Sequence, residues 1–104
     1  MIFMDIREYL DLAKHIRKVG REEKLKRREV EIVLLIGEIN LTGKRCMSYK
    51  EDMEHFGVSL RTAGIDMRTL RDKGLLNELR YTLTEKGRRI YDKINTYAAR
   101  SLAG

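Results

Sequence analysis

The chain holds few histidine and cysteine side chains, which are common ligands of zinc. Its two histidines, His15 and His55, and its single cysteine, Cys46, are too few and too widely spaced for a zinc site. No two of them have the i, i+4 spacing of ligands on one helix, and "GKR" at Gly43 to Arg45 lacks the preceding strand and glycine of a phosphate-binding loop. The sequence therefore predicts a protein that is not an enzyme and that needs no metal or cofactor.

The excess of basic residues is confined to one segment. The formal net charge is +6, and the segment from Lys14 to Arg28, "KHIRKVGREEKLKRR", holds eight Lys or Arg against two Glu, so the other 14 basic residues are balanced by 14 acidic ones. Such a segment attracts polyanions through counterion release, although it also fits a solvated helix face whose long side chains cover a neighbour. The predicted additional phosphate contacts are Arg21, Lys24, Lys26, Arg27 and Arg28.

A second set of basic side chains follows from helical spacing between Ser59 and Lys73. Ala63, Met67 and Leu70 form one narrow apolar stripe, which we expect to be buried. Arginine matches the acceptors of guanine in the major groove, and aliphatic groups contact the thymine methyl. Arginine is also ordinary on an exposed helix, and Asp66 and Asp72 are spaced to pair with neighbours. The face opposite the stripe carries Leu60, Arg61, Gly64, Ile65, Arg68 and Arg71.

Hydrophobic periodicity predicts the helices that position these residues. A one-sided helix should run from Asp5 to Val19 and break at Gly20. The next helix begins in the basic segment and is apolar on several faces as far as Ile39, which indicates a central, buried helix. "NLTGK", at residues 40–44, is typical of a turn.

Capping signals then predict two short helices. Ser48 and Glu51 form a capping box, and the helix that they start should end at Gly57, with Met53 and Phe56 facing inward. A second helix should run from Ser59 to Lys73. Two short capped helices joined by "GVS" are typical of a helix-turn-helix unit.

A hairpin and a last helix complete the prediction. Gly74 should be a left-handed cap, "LLNEL" and "RYTLT" should be two antiparallel strands, and Thr84 should cap a helix that reaches about residue 102. The predicted fold is mainly α with a small antiparallel β-hairpin: a winged helix-turn-helix core at about residues 30–94 of a single domain, with flanking N- and C-terminal helices.

The sequence resembles the winged-helix DNA-binding domains of the MarR and PadR type, small regulators of bacteria and archaea. The resemblance is carried by "LRDKGLL" at residues 70–76 and "YTLTEKGRRIYDKI" at residues 81–94. It implies a sequence-specific transcription regulator that binds double-stranded DNA as a dimer. The implied recognition-helix contacts are Ser59, Arg61, Thr62 and Arg68, the implied phosphate contacts are Ser48, Tyr49 and Lys50, and the implied wing contact is Arg80.

The terminal helices bear on the oligomeric state. Both are one-sided, so their apolar faces need partners, either on each other within one chain or across the two-fold axis of a homodimer, which we expect. The longest apolar run has five residues, and the N-terminus lacks the pattern of a signal peptide, so we expect a cytoplasmic, nucleoid-associated protein without a membrane span. The alternatives are a protein-interaction module and a non-specific chromatin or architectural DNA-binding protein.

Overall fold

The computed structural model describes residues 6–42, 49–77 and 82–103, and side chains within 10–41, 50–77 and 82–100. Five helices make up most of this part of the chain. Besides them, it contains one isolated antiparallel bridge, between Leu76 and Leu83. The helices are α1 (Ile6–Glu23), α2 (Arg27–Thr42), α3 (Tyr49–Phe56), α4 (Leu60–Asp72) and α5 (Glu85–Ala103).

The prediction that the second helix is central and buried is confirmed. Val30, Val33 and Ile36 of α2 are fully buried, and Ile32 is almost so. Around them lie side chains from α1, α4 and α5 in a single apolar cluster. The predicted stripe of α4 is confirmed as well, because Ala63, Met67 and Leu70 are its buried residues.

The two terminal helices pack on each other within one chain, which is the alternative to the expected dimer contact. Ile16 and Val19 of α1 and Ile94 of α5 are buried in the same cluster. At the surface, the Nζ of Lys93 on α5 lies 3.2 Å from a carboxylate oxygen of Glu22 and of Glu23, both on α1. Leu10 remains 57% exposed on α1. Most of the described apolar surface of these helices therefore has a partner inside the chain.

Three helices end with the same local hydrogen bond. In each, a residue two or three positions beyond the helix donates its N–H to a carbonyl in the last turn, and the residue before this donor has a positive φ. Gly57 ends α3 and Gly74 ends α4 in this way, as predicted. The bonds are Leu25 N–H to Gly20 O (2.8 Å), Val58 N–H to Met53 O (3.2 Å) and Leu75 N–H to Leu70 O (2.9 Å).

The predicted break at Gly20 is wrong, because α1 continues to Glu23. The left-handed position after α1 is taken by Lys24, with φ of 57°. Gly20 is needed for a different reason: a Cβ at this position would lie 2.9 Å from the carbonyl oxygen of Leu25. The missing side chain therefore lets the turn into α2 fold back on the last turns of α1.

The prediction of a winged helix with an antiparallel β-hairpin is also wrong. Residues 78–81 lie outside the described part, and the described residues on either side form the one bridge but no strand. Two backbone hydrogen bonds cross the segment, from Asn77 N–H to Thr82 O and from Thr84 N–H to Leu75 O, both at 3.1 Å. The bond that would join Leu75 N–H to Thr84 O is missing, because Leu75 donates to Leu70 O in α4 and the Thr84 carbonyl accepts the N–H of Arg88 in α5. The ladder therefore ends at the helices, and the described fold is helical.

Candidate nucleic-acid interface

The helix pair α3–α4 is positioned by local capping. Gly57, with φ of 65°, reverses the chain after α3, and Ser59 then caps α4. The Ser59 hydroxyl oxygen accepts the N–H of Thr62 at 3.2 Å and lies 3.2 Å from the Thr62 hydroxyl. Both residues, which the sequence predicts as DNA contacts, are therefore engaged in fixing the start of α4. Thr84 is confirmed as the corresponding cap of α5.

The face of α4 opposite its buried stripe points away from the protein. Leu60 and Ile65 are 59% and 54% exposed, and Arg61 and Arg68 are also exposed. A Cβ added at Gly64 would meet no heavy atom within 4 Å. We call these five residues the α4 face. It combines two guanidinium groups, two apolar side chains and an open stretch of backbone.

The two arginines of this face have no partner among the described residues. Within the described residues, neither Arg61 nor Arg68 makes a hydrogen bond or an ion pair, although Asp72 follows Arg68 at helical spacing. Arg71 differs from them, because it is half-buried and already interacts with another group. Charge on the α4 face is therefore concentrated at Arg61 and Arg68.

Two ion pairs hold the start of α2 against α4. The Nη2 of Arg28 lies 2.6 Å from the Oδ2 of Asp66, and the Nζ of Lys73 lies 2.7 Å from the Oε1 of Glu29. Because Arg28 and Glu29 directly follow the turn between α1 and α2, that turn lies beside α4. We call residues 24–26 of this turn, with exposed Lys24 and Lys26, the basic turn.

The other residues of the basic segment divide into exposed and paired groups. Arg21 is exposed. Arg27 pairs with Glu31 at 3.2 Å, and Arg28 is held by Asp66 with its guanidinium carbon 5.6 Å from the ring centre of Phe56. A paired guanidinium under an aromatic ring is less free to reach a phosphate. Arg21, Lys24 and Lys26 are thus exposed and unpaired within the described residues, whereas Arg27 is exposed but paired.

The remaining predicted contacts are only partly described. Ser48 and Arg80 lie outside the described residues, and Tyr49 begins α3 but its side chain is not among those described. Lys50 is exposed, and its Nζ lies 3.9 Å from a carboxylate oxygen of Glu54 in the next turn. A contact of this length between two exposed side chains contributes little, so Lys50 remains available to a ligand.

Sequence reasoning missed the most buried charged residue. Asp52 of α3 is completely buried, whereas Met53 and Phe56, the predicted inward residues, are half-buried. Asp52 precedes Phe56 by four residues, so the two share a face of the helix. The spacing of Asp52 and Phe56 could therefore have indicated that Asp52 is buried. The prediction instead followed the usual expectation that a carboxylate is exposed to water.

Comparison of the chain with protein-family models, curated proteins and solved structures finds no match. In the described residues, no group of three or more His, Cys, Asp or Glu side chains is arranged to hold a metal ion. None of the described helices has the length and apolar character needed to cross a membrane. The α4 face and the basic turn are the surfaces of the described chain that have a shape and charge suited to a ligand.

Proposed function

We propose that the protein binds double-stranded DNA as a sequence-specific transcription regulator, with α4 in the major groove. The observation that carries this proposal is the pair of exposed arginines, Arg61 and Arg68, which no other described group engages. Arginine donates two parallel hydrogen bonds to guanine, and Leu60 and Ile65 beside it suit contact with the thymine methyl. The surface therefore offers the two kinds of side chain that read base edges.

The basic turn supports the same proposal. Lys24 and Lys26 lie beside α4 because Arg28 and Glu29 are tied to Asp66 and Lys73. A duplex that receives α4 in its groove presents phosphates on both sides of that groove, so basic groups flanking the helix neutralise them. No wing is required for this arrangement.

One acidic residue limits the extent of the contact. Asp72 is exposed and lies on the same side of α4 as Arg68, one turn further along. A carboxylate repels phosphate, so the base contacts belong to the first turns of the helix, from Leu60 to Arg68. Ser59 and Thr62 contribute by holding the N-terminal end of α4 in position, where backbone N–H groups also favour an anion.

Fluorescence anisotropy with a randomised duplex tests the proposal. We expect measurable binding at about 50 mM salt and a log–log salt slope of about −0.9 per phosphate neutralised. Rounds of selection should then enrich a defined sequence that binds more tightly than the starting pool. The absence of binding at this salt concentration would refute DNA binding, and binding without enrichment would leave the non-specific architectural alternative.

A second function is favoured by the apolar part of the α4 face. Leu60 and Ile65 are large apolar residues that remain more than half exposed. Exposed apolar residues rimmed by arginine are also typical of protein interfaces. In that case duplex DNA would not compete, and binding to the partner would weaken with substitution of Leu60 and Ile65 while depending little on salt.

The homodimer and the location at the nucleoid remain parts of the proposal. Since α1 and α5 already pack on each other, we place the contact with a second copy at the groove between α1, α2 and α5. Leu12 and Leu34 line this groove, with Arg27 and Glu31 at its edge. Two copies would present two α4 helices to half-sites about 34 Å apart. Sedimentation equilibrium decides between monomer and dimer.

A further inference from the structure

Three charged side chains from three helices meet beneath α4. Asp52 comes from α3, Asp66 from α4 and Arg28 from α2. Arg28 is committed to Asp66 at 2.6 Å, whereas neither carboxylate oxygen of Asp52 has a hydrogen-bond partner among the described residues, although Asp52 is fully buried. A buried carboxylate without partners is costly, because desolvation of its charge is not compensated.

The chemistry of the neighbours indicates what relieves this cost. The Asp66 carboxylate is within hydrogen-bonding reach of Asp52, but two ionised carboxylates have no proton to share. A proton from solvent on Asp52 supplies the missing donor, so that Asp52 donates to Asp66 while Asp66 keeps its ion pair with Arg28. Protonation also removes one of the two negative charges that face a single guanidinium.

We propose that Asp52 forms a proton-dependent contact between α3 and α4. The contact holds the two helices together when the Asp52 carboxyl is protonated and donates a hydrogen bond to Asp66, and it weakens when the carboxyl is ionised. This contact is part of the packing between α3 and α4 and does not depend on DNA binding. Its consequence is that the orientation of α4 relative to α3 responds to mildly acidic pH.

The electrostatic surroundings support this proposal. Burial, together with the neighbouring Asp66, raises the pKa of Asp52 to about 6, and Arg28 opposes the rise. On α3 itself, Lys50 and Glu54 face each other at the surface, and the rings of His55 and Phe56 meet edge to face with their centres 4.8 Å apart. Among the described residues, Asp66 and Arg28 are therefore the charged groups through which the other helices act on Asp52.

The sign of the effect follows from the direction of the pKa shift. A carboxyl whose pKa is higher in the folded than in the unfolded chain binds its proton more tightly when folded. Its stabilising contribution is therefore present at low pH and is lost as the pH rises through about 6. Between about pH 5 and pH 7, this group alone should change the ratio of folded to unfolded protein about tenfold, with the greater stability at pH 5.

Carbon-detected NMR on the whole chain tests the proposal directly. The chemical shift of the Asp52 side-chain carboxyl carbon should titrate with a midpoint near pH 6. A midpoint near the ordinary aspartate value of about 4 would overturn the proposal. The measurement reports on one residue, and it is independent of whether the chain binds DNA.

Two variants test whether the titration of Asp52 controls the contact between α3 and α4. Asp52→Asn keeps a donor to Asp66 at every pH, so the protection of α3 amides from hydrogen exchange should lose the pH dependence that the wild type has between pH 5 and 7, after correction for intrinsic rates. If Asp52→Asn does not fold, Asp66→Asn should still move the Asp52 midpoint below 6. Equal pH dependence of protection in the wild type and Asp52→Asn, or an unchanged midpoint in Asp66→Asn, would refute the mechanism.

Discussion

Lys73, the residue that ends α4, holds both carboxylate oxygens of Glu29 near the start of α2, at 2.7 and 2.8 Å. The same carboxylate accepts the backbone N–H of Lys26 at 2.7 Å, as the reciprocal half of a capping box. One buried side chain thus caps α2 and fastens it to the end of α4. This connection keeps the basic turn beside the α4 face.

Glu29→Gln should destabilise the protein by about 1–3 kcal/mol, because it weakens charge-assisted hydrogen bonds to a lysine and a helix cap at a buried position. Urea unfolding measures the change. Glu31→Gln is the matched control, since Glu31 lies on the same helix in an i, i+4 pair with Arg27 at the surface and should cost less than about 0.5 kcal/mol. Equal losses of stability in the two variants would mean that the buried contact of Glu29 stabilises the protein no more than the surface pair of Glu31.

The same carboxylate should contribute to acid unfolding. Burial would raise the pKa of Glu29, but hydrogen bonds from Lys73 and the Lys26 N–H outweigh it and lower the pKa. The stabilisation is therefore present at neutral pH and is lost as the pH falls through the lowered value. Its pH dependence is opposite in sign to that of Asp52, so unfolding profiles of Glu29→Gln and the wild type should converge in acid.

Gly64→Ala should stabilise the protein by about 0.5–1 kcal/mol, because alanine favours a helix interior and the added Cβ meets no neighbouring atom. Thermal unfolding measures the gain. If the duplex approaches the backbone of α4 at this position, the same variant should bind a selected DNA sequence more weakly. A stability gain with unchanged DNA affinity would exclude such an approach.

Lys24→Gly should also be stabilising, by about 0.5–1 kcal/mol, since glycine adopts the positive φ of this position without steric cost. Loss of the ammonium group should at the same time reduce the salt slope of DNA binding by about 0.9, the share of one phosphate. Lys26→Gln is the control: its side chain is exposed, so it should reduce the slope without the gain in stability. An unchanged salt slope of DNA binding in both variants would show that the basic turn does not contact DNA.

Arg68→Ala should weaken binding to a selected sequence by about 1–3 kcal/mol and relax the base preference at one position, as expected for a bidentate contact. Its effect on stability should be small, because Arg68 is exposed and unpaired within the described residues. Arg89→Ala, which removes an exposed arginine from α5, is the control and should leave affinity nearly unchanged. A uniform loss over all sequences in Arg68→Ala would instead indicate a phosphate contact.

The helices could be predicted from sequence because their signals are local. The predicted range, Ser59 to Lys73, matches α4 within one residue at each end, and the spacing of Ala63 and Met67 identifies its buried face. The β-hairpin was predicted from alternation over very short runs, but capping of two helices used the same backbone groups. Residues distant in sequence were beyond such reasoning: Asp52, Asp66 and Arg28 meet only after three helices have packed.

The repeated helix ending after α1, α3 and α4 has a kinetic consequence. Each ending closes a loop of six residues by a bond between near neighbours, so it can form before any distant contact exists. Because the ends of these helices are defined locally, the helices can form early. Folding then consists mainly of docking these preformed segments. We therefore expect the chain to fold in the microsecond to millisecond range typical of helical proteins, with the late step being the burial of the charged groups that join α2 to α3 and α4.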